Sequence, residues 1–241
     1  MKTAFAQILV ARRSFAVCAA VVYTLVCAFF CSSCADKQPE TLKTAETQTA
    51  DSLSDSLSTA TAQTFQIDLA ESGVLWEGSE GFAAIKEKHN GSLLLKDGSL
   101  TAREGVIVGG IFTVDMTTLR NADVKSEKMR AKLEKHLKGA DFFDVERFPT
   151  ARFELTSVSA LPSKDSVLLT GNLTMKDVAK SVSFPARVSL DSTSLRATAA
   201  FFINRKDWGI HYRAEESLGD ELIRPEIGLR VNIKATSIPA P

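Results

Sequence analysis

The chain has 241 residues, 44% of them apolar and 24% charged, and its 29 basic and 29 acidic side chains cancel. Such a balance leaves no electrostatic footprint for nucleic acid or for an anionic surface. All four cysteines (Cys18, Cys27, Cys31 and Cys34) lie at the N-terminus, so the remainder has no disulfide, no thiolate nucleophile and no thiolate metal site.

Lys2, Arg12 and Arg13 precede an apolar run from Phe15 to Phe30, which is short for a bilayer span of about 20 residues. A basic start, an apolar middle and small residues after it predict a secretory signal over residues 1–33. Arg12-Arg13 reads as an ordinary basic start rather than a twin-arginine signal. Ser32-Ser33-Cys34 resembles the end of a bacterial lipoprotein signal, where cleavage leaves the cysteine as a lipidated N-terminus, although Cys31 stands where Leu is commonest. Cys34 is therefore the expected lipidation site. It would anchor the chain to a membrane of the bacterial cell envelope, the outer rather than the inner.

Residues 34–63 change character. Ser and Thr alternate with Ala and a few acids, and only Leu53 and Leu57 recur in phase. Such a segment cannot offset its ordering entropy, so it is expected to be a mobile tether that folding does not need. The leader holds three basic residues and the tether two basic and five acidic. That leaves 24 of each sign for the rest of the chain.

Residues 64–237 have the size of one domain. Phe65, Ile67 and Leu69 alternate, and Val74 and Trp76 resume the phase after Glu71-Ser72-Gly73. Asn90-Gly91 and Asp97-Gly98 are tight-turn signals, which predicts a short strand over Ser92–Lys96. Val106 to Met116 reads as a long strand with a bulge or bend at Gly109-Gly110. Met129, Leu133 and Leu137 repeat every four residues and predict one helical face over 126–138. Glu134 and Lys138 are spaced as an i,i+4 pair, and Gly139 is a helix stop. Phe142, Phe143 and Phe148 then crowd a corner that Pro149 ends. The three rings are expected to close one end of the domain with the helix beside them.

The second half is written in period two: Val167 to Met175, Val182 to Leu190, and Ile227 to Ile233. Asp177 falls in a hairpin turn, and Pro185 predicts a bulge or a break in pairing. About eight strands, one helix and no βαβ alternation indicate an all-β antiparallel barrel or sandwich. The inserted helix and the aromatic surplus favour an eight-stranded barrel.

No nucleophile elbow, zinc-protease pair, phosphate loop or dinucleotide fingerprint occurs, and His89, His136 and His211 lie far apart in the chain. Neither a catalytic residue nor a metal site is expected. Arg205, Lys206 and Asp207 offer either a polar mouth for a head group or an arginine buried against an acid. Trp76, Phe202, Trp208 and Tyr212 either line an apolar channel or fill a solid core, and the residues leave both readings open.

The run His136-Leu137, Asp141-Phe142-Phe143-Asp144-Val145-Glu146, Phe148-Pro149 and Phe153 resembles the signature of the YceI-like family. Further pieces are Phe65-Gln66-Ile67-Asp68, Gly110-Ile111-Phe112, Thr170 to Met175, Phe202 to Arg205 and Trp208-Gly209-Ile210. The resemblance implies a lipocalin-like barrel with a helix near one end and an apolar channel for an isoprenoid chain. It makes Trp76, Phe112, Phe142, Phe143, Phe153, Phe202, Arg205, Trp208 and Tyr212 the candidate ligand-binding set. It also implies an apolar lipid as partner and no cofactor beyond that lipid. Oligomeric state is left open, a dimer included. Where many members have His-Ser after the opening strand, this chain has Glu71-Ser72. A non-catalytic lipid binder is thus the leading expectation. The alternatives are a hydrolase or metal-dependent enzyme with its site at the barrel mouth, and an interaction scaffold with a closed core.

Overall fold

The structure is a computed structural model that describes residues 41–42, 44–47, 61–81, 87–163, 165–215, 217–218 and 222–238. The leader, Cys34 and most of the expected tether lie outside the described residues. Among the described residues, nine antiparallel strands and one α-helix come in order: β1 (Gln63–Ile67), β2 (Gly73–Glu80), β3 (Glu87–Arg103), β4 (Val106–Asn121), α1 (Glu127–Lys138), β5 (Thr150–Ala160), β6 (Ser166–Met175), β7 (Val178–Leu190), β8 (Ser194–Asn204) and β9 (Glu226–Ser237). A short helical turn, Arg205–Trp208, succeeds β8.

Each of β1 and β2 pairs with both β3 and β9, one after the other along the same two neighbours. Together they fill one position of the sheet, and the pairings of β3 with β4 and of β9 with β1 and β2 close it into an eight-position barrel. Among the described strands closure pairs each one on both sides over at least part of its length. Between β1 and β2, Asp68 accepts hydrogen bonds from the N–H groups of Ala70 and Glu71. Ser72, buried, accepts from the N–H of Lys234 at 2.9 Å and donates to its carbonyl at 3.2 Å. Glu71 pairs with the Lys234 ammonium at the surface. The Glu71-Ser72 departure therefore belongs to a staple between the opening turn and β9.

The hairpin turn at Lys176-Asp177 is present, with both residues at positive φ and Met175 facing Val178. A register shift on β4 opposite Thr101/Ala102 fulfils the bulge expected beside Gly109. The turns expected at Asn90-Gly91 and Asp97-Gly98 do not form: both dipeptides run inside β3, which is 17 residues long. Their glycines serve close approach instead. A Cβ on Gly91 would sit 1.8 Å from the Arg120 carbonyl oxygen, and one on Gly98 would sit 2.6 Å from Ile67 and 2.8 Å from Phe112.

Ser126 caps α1 by accepting from the Met129 N–H. The helix lies against β4, but its expected apolar stripe is only partly realised. Met129 is 53% exposed, while Leu133 and Leu137 are half-buried. Glu134 accepts from the Asn121 N–H at 2.8 Å and Lys138 donates to the Thr117 carbonyl at 2.7 Å, so both charges tie the helix to β4. The tether expectation also fails in part. Leu42 donates its N–H to the Phe202 carbonyl, and Ala45 and Ser181 exchange both backbone hydrogen bonds, so Thr41–Leu42 and Thr44–Thr47 are held on the barrel. The next ladder donor would be Pro185, which has none, and the strands beside it offer unpaired groups to this segment.

Candidate functional site

The corner after α1 turns back on itself through backbone bonds. The N–H groups of Phe143, Asp144 and Val145 donate to the carbonyls of Leu137, Gly139 and Lys138 at 3.1, 2.8 and 2.9 Å. Lys176, in the hairpin turn between β6 and β7, donates to the Phe142 carbonyl at 2.8 Å. This places Phe142 in a fully enclosed position and Phe143 against the core. Phe148 lies apart: its ring is half-buried beneath the Arg147 guanidinium, 4.9 Å away, and it lines none of the interior cavities. The plug is thus made by two of the three rings. Two other rings and one guanidinium complete it: His136 meets Phe142 and Tyr212 edge-on at 5.1 and 5.0 Å, and Arg205 lies over the Phe142 ring at 5.5 Å.

Arg205 is 1% exposed, and its partners are not acids. It donates to the carbonyls of Ile210, Tyr212, Ile223 and Arg224 at 2.7, 2.8, 2.6 and 3.3 Å. Burial pushes its pKa down to about 10, and the nearby Glu226 carboxylate opposes that shift. The guanidinium clamps the chain between the helical turn and β9, and so fixes Tyr212 beside Phe142.

Behind the plug, three apolar spaces succeed one another through the barrel. The first, about 220 Å³, lies under α1 and is lined by Trp76, Leu133, His136, Phe142, Phe143, Tyr212 and Ile227 among others. The second, about 80 Å³, shares Trp76, Phe143 and Ile227 with the first. The third, about 50 Å³, shares Phe112, Phe153, Phe184 and Val231 with the second. The residues shared between neighbouring spaces are thus all aromatic or branched. An engineered apolar cavity of about 150 Å³ takes up benzene, so the first space alone holds a ring-sized group. A long chain needs the partitions to swing aside.

Most of the candidate set meets here: Trp76, Phe112, Phe142, Phe143, Phe153, Arg205 and Tyr212 line one or more of the three spaces. Two do not. Phe202 is in the outward phase of β8 and lines an external groove, while its neighbour Phe201 takes the inward place. Trp208 is fully buried, donates to the Leu173 carbonyl at 3.0 Å, and packs as solid core. Phe184 and Phe201, absent from the candidate set, stack at 4.1 Å with an 8° tilt and line the second space. The parity of Leu195 and Ile203, both fully buried, carries the signal for Phe201.

At the rim of the first space, His89 shares a hydrogen bond of 2.8 Å with Asp123. Ligand atoms of Glu80, Glu87 and His89 lie within 4.8 Å of one another, which the spacing of the histidines did not announce. His89 and His136 line the first space, and His211 does not.

The chain matches the family described as the YceI-like domain over residues 65–235. A UPF0312 protein of Pseudomonas aeruginosa (strain LESB58) is 35% identical over 118 residues, covering 46% of this chain and 58% of its own length. A UPF0312 protein of Pseudomonas putida (strain GB-1) is 32% identical over 136 residues, covering 54% of this chain and 68% of that protein. The match thus spans little more than half the length of the first of these relatives. Among solved structures, a polyisoprenoid binding domain from Saccharophagus degradans implicated in plant cell wall breakdown has the same fold. Its TM-score is 0.52 at 12% identity, over 72% of this chain and 98% of that one.

Proposed function

This chain belongs to the YceI-like family, and from that premise we propose that it is a binding protein for a long apolar lipid of the isoprenoid or quinone type. It stores, carries or shields that lipid and performs no chemistry on it. The observation that carries the reading is the file of three apolar spaces in which neighbours share aromatic and branched lining residues. Interiors are normally close-packed, with few voids larger than a water molecule. A row of shared-wall spaces along a barrel lined by Phe, Val, Leu and Ile forgoes packing contacts, and a slender apolar chain is the ligand whose binding restores them. The solved relative's polyisoprenoid binding agrees with this class of ligand.

In the same proposal, Cys34 carries a lipid anchor that holds the domain at a bacterial envelope membrane. The polar groups around the first space (His89, Tyr212 and Arg213) would face a head group at the helix end. Mass spectrometry of the lipid extracted from natively purified protein tests the reading. An isoprenoid-type lipid near one equivalent supports it, and a protein that carries no lipid and takes none up overturns it.

A further inference from the structure

The wall of the barrel has a seam. The ladder between β7 and β8 covers only Ala186–Leu190 against Leu195–Ala199. Yet β7 begins at Val178 and β8 runs on to Asn204. Pro185, the residue next in line, has no N–H to continue the ladder. Along Val178–Pro185 and Ala200–Asn204 the two strands belong to one sheet only through their other neighbours.

The N-terminal segment lies across this seam. Thr41 runs parallel to Phe202 and Leu42 donates its N–H to the Phe202 carbonyl at 3.0 Å, on the β8 side. Ala45 lies antiparallel to Ser181 and exchanges bonds of 3.0 and 2.9 Å with it, on the β7 side. Two side-chain contacts add to these: the Thr44 hydroxyl donates to Asp207 at 2.7 Å and Lys180 pairs with Glu46 at 3.0 Å. Leu42 packs on the core. Directly inside the seam stand Phe184 from β7 and Phe201 from β8, stacked on each other at 4.1 Å, with Val182 and Ile203 beside them. The seam is thus shut twice, on the outside by a strap and on the inside by one pair of rings. The inner pair is a wall of the second apolar space.

We infer that the β7–β8 seam is a side port through which a long apolar chain reaches the barrel interior, and that the strap of Thr41–Leu42 and Thr44–Thr47 is its gate. Lifting the strap breaks a handful of hydrogen bonds and exposes one leucine, and no ladder bond of the barrel is lost. Rotation of Phe184 or Phe201 then opens the second space sideways, in the middle of the file. Elsewhere along β7 and β8 a chain of this kind would have to part paired strands. This inference rests on the lipid-binding reading of the barrel.

The test uses a strap that can be locked. Ala45 and Ser181 form a hydrogen-bonded antiparallel pair, whose Cα atoms lie about 5.5 Å apart, inside the span of a disulfide. Residues 35–241 contain no native cysteine. The double variant Ala45→Cys/Ser181→Cys is compared, oxidised and reduced, with a loosened variant, Leu42→Ser/Thr44→Ala. cis-Parinaric acid is delivered from phosphatidylcholine vesicles, and its arrival is read by energy transfer from Trp76 and Trp208, the chain's two tryptophans. Oxidation should slow uptake by about tenfold or more at unchanged equilibrium affinity, reduction should restore it, and the loosened variant should exceed it. Binding at equal rates in all three states overturns the port. No binding in any of them overturns the lipid-binding reading, and the port with it.

Discussion

Phe143 separates the first two spaces, and its removal distinguishes a partition from a core residue. A Phe→Ala change in a packed core costs about 3–5 kcal/mol, and the loss grows with the cavity that is left. Phe143 is half-buried and already borders spaces of about 220 and 80 Å³. Part of its ring therefore has no neighbour to lose, and the expected cost of Phe143→Ala is about half the core value, roughly 2 kcal/mol. At about 2–4 °C per kcal/mol for a domain of this size, the melting temperature should fall by roughly 4–8 °C. Phe65 is the control, being fully buried and outside all three spaces. Phe65→Ala should cost the full 3–5 kcal/mol, roughly 6–20 °C. Merging the two spaces should also raise the affinity for bulky apolar probes in Phe143→Ala alone. Differential scanning calorimetry and probe titration on both variants read these effects. Equal destabilisation, with no change in probe binding, would show that Phe143 is ordinary core and would refute the partition argument.

Three further outcomes are expected. Changing Cys34 to Ala should move the protein from the membrane fraction to the soluble one, and continued sedimentation with membranes would refute the lipid anchor. Arg205→Met should leave four carbonyls without their donor, at a cost of about 3 kcal/mol or more. Limited proteolysis should then cut near Tyr212 and Arg213 while the barrel strands stay protected, and resistance equal to wild type would show that the clamp is dispensable. Asp191 accepts from the backbone and hydroxyl groups of Thr193 and Ser194, the Thr193 N–H foremost, which hold its carboxyl well below the usual 3.8. A lowered folded-state pKa gives stability that is present above 3.8 and lost as pH falls toward the folded value. Asp191→Asn should therefore flatten the acid side of the melting-temperature profile below about pH 4. Parallel profiles for wild type and variant would contradict this.

How far these features could be read beforehand depended on where each physical cause resides. Strands β7 and β9 were legible because one face meets the apolar interior and the other meets water, and that difference is written residue by residue. Strand β3 was not. Asn90-Gly91 and Asp97-Gly98 carry the chemistry of turns, but their glycines answer to neighbouring strands that local sequence does not contain. Phe201 and Phe202 are adjacent, and only the parity of distant Leu195 and Ile203 decides which ring enters the barrel. For Arg205 the expectation of a buried arginine was right and the choice of acid partners wrong. Backbone carbonyls accept hydrogen bonds without leaving a trace in side-chain composition. Pro185 did mark the interrupted ladder. The segment that fills the interruption, made of Thr, Leu, Ala and Glu from a stretch composed like a tether, answers to unpaired groups on two other strands and is a tertiary fact.

The central claim is that the three spaces form one path for one chain, and chain length is the variable that tests it. Each added CH₂ that becomes buried contributes about 0.8 kcal/mol. Even partial burial of one more isoprene unit should then strengthen binding roughly tenfold from farnesol to geranylgeraniol. The gain should continue until the file is full. Ala199→Trp, which places an indole in the third space, should lower that ceiling and leave farnesol binding unchanged. Calorimetric titration of this series against wild type and Ala199→Trp is the measurement. Affinity that climbs with length and is capped by the indole is what the account predicts. Affinity indifferent to length, or a ceiling that the indole does not move, would contradict it.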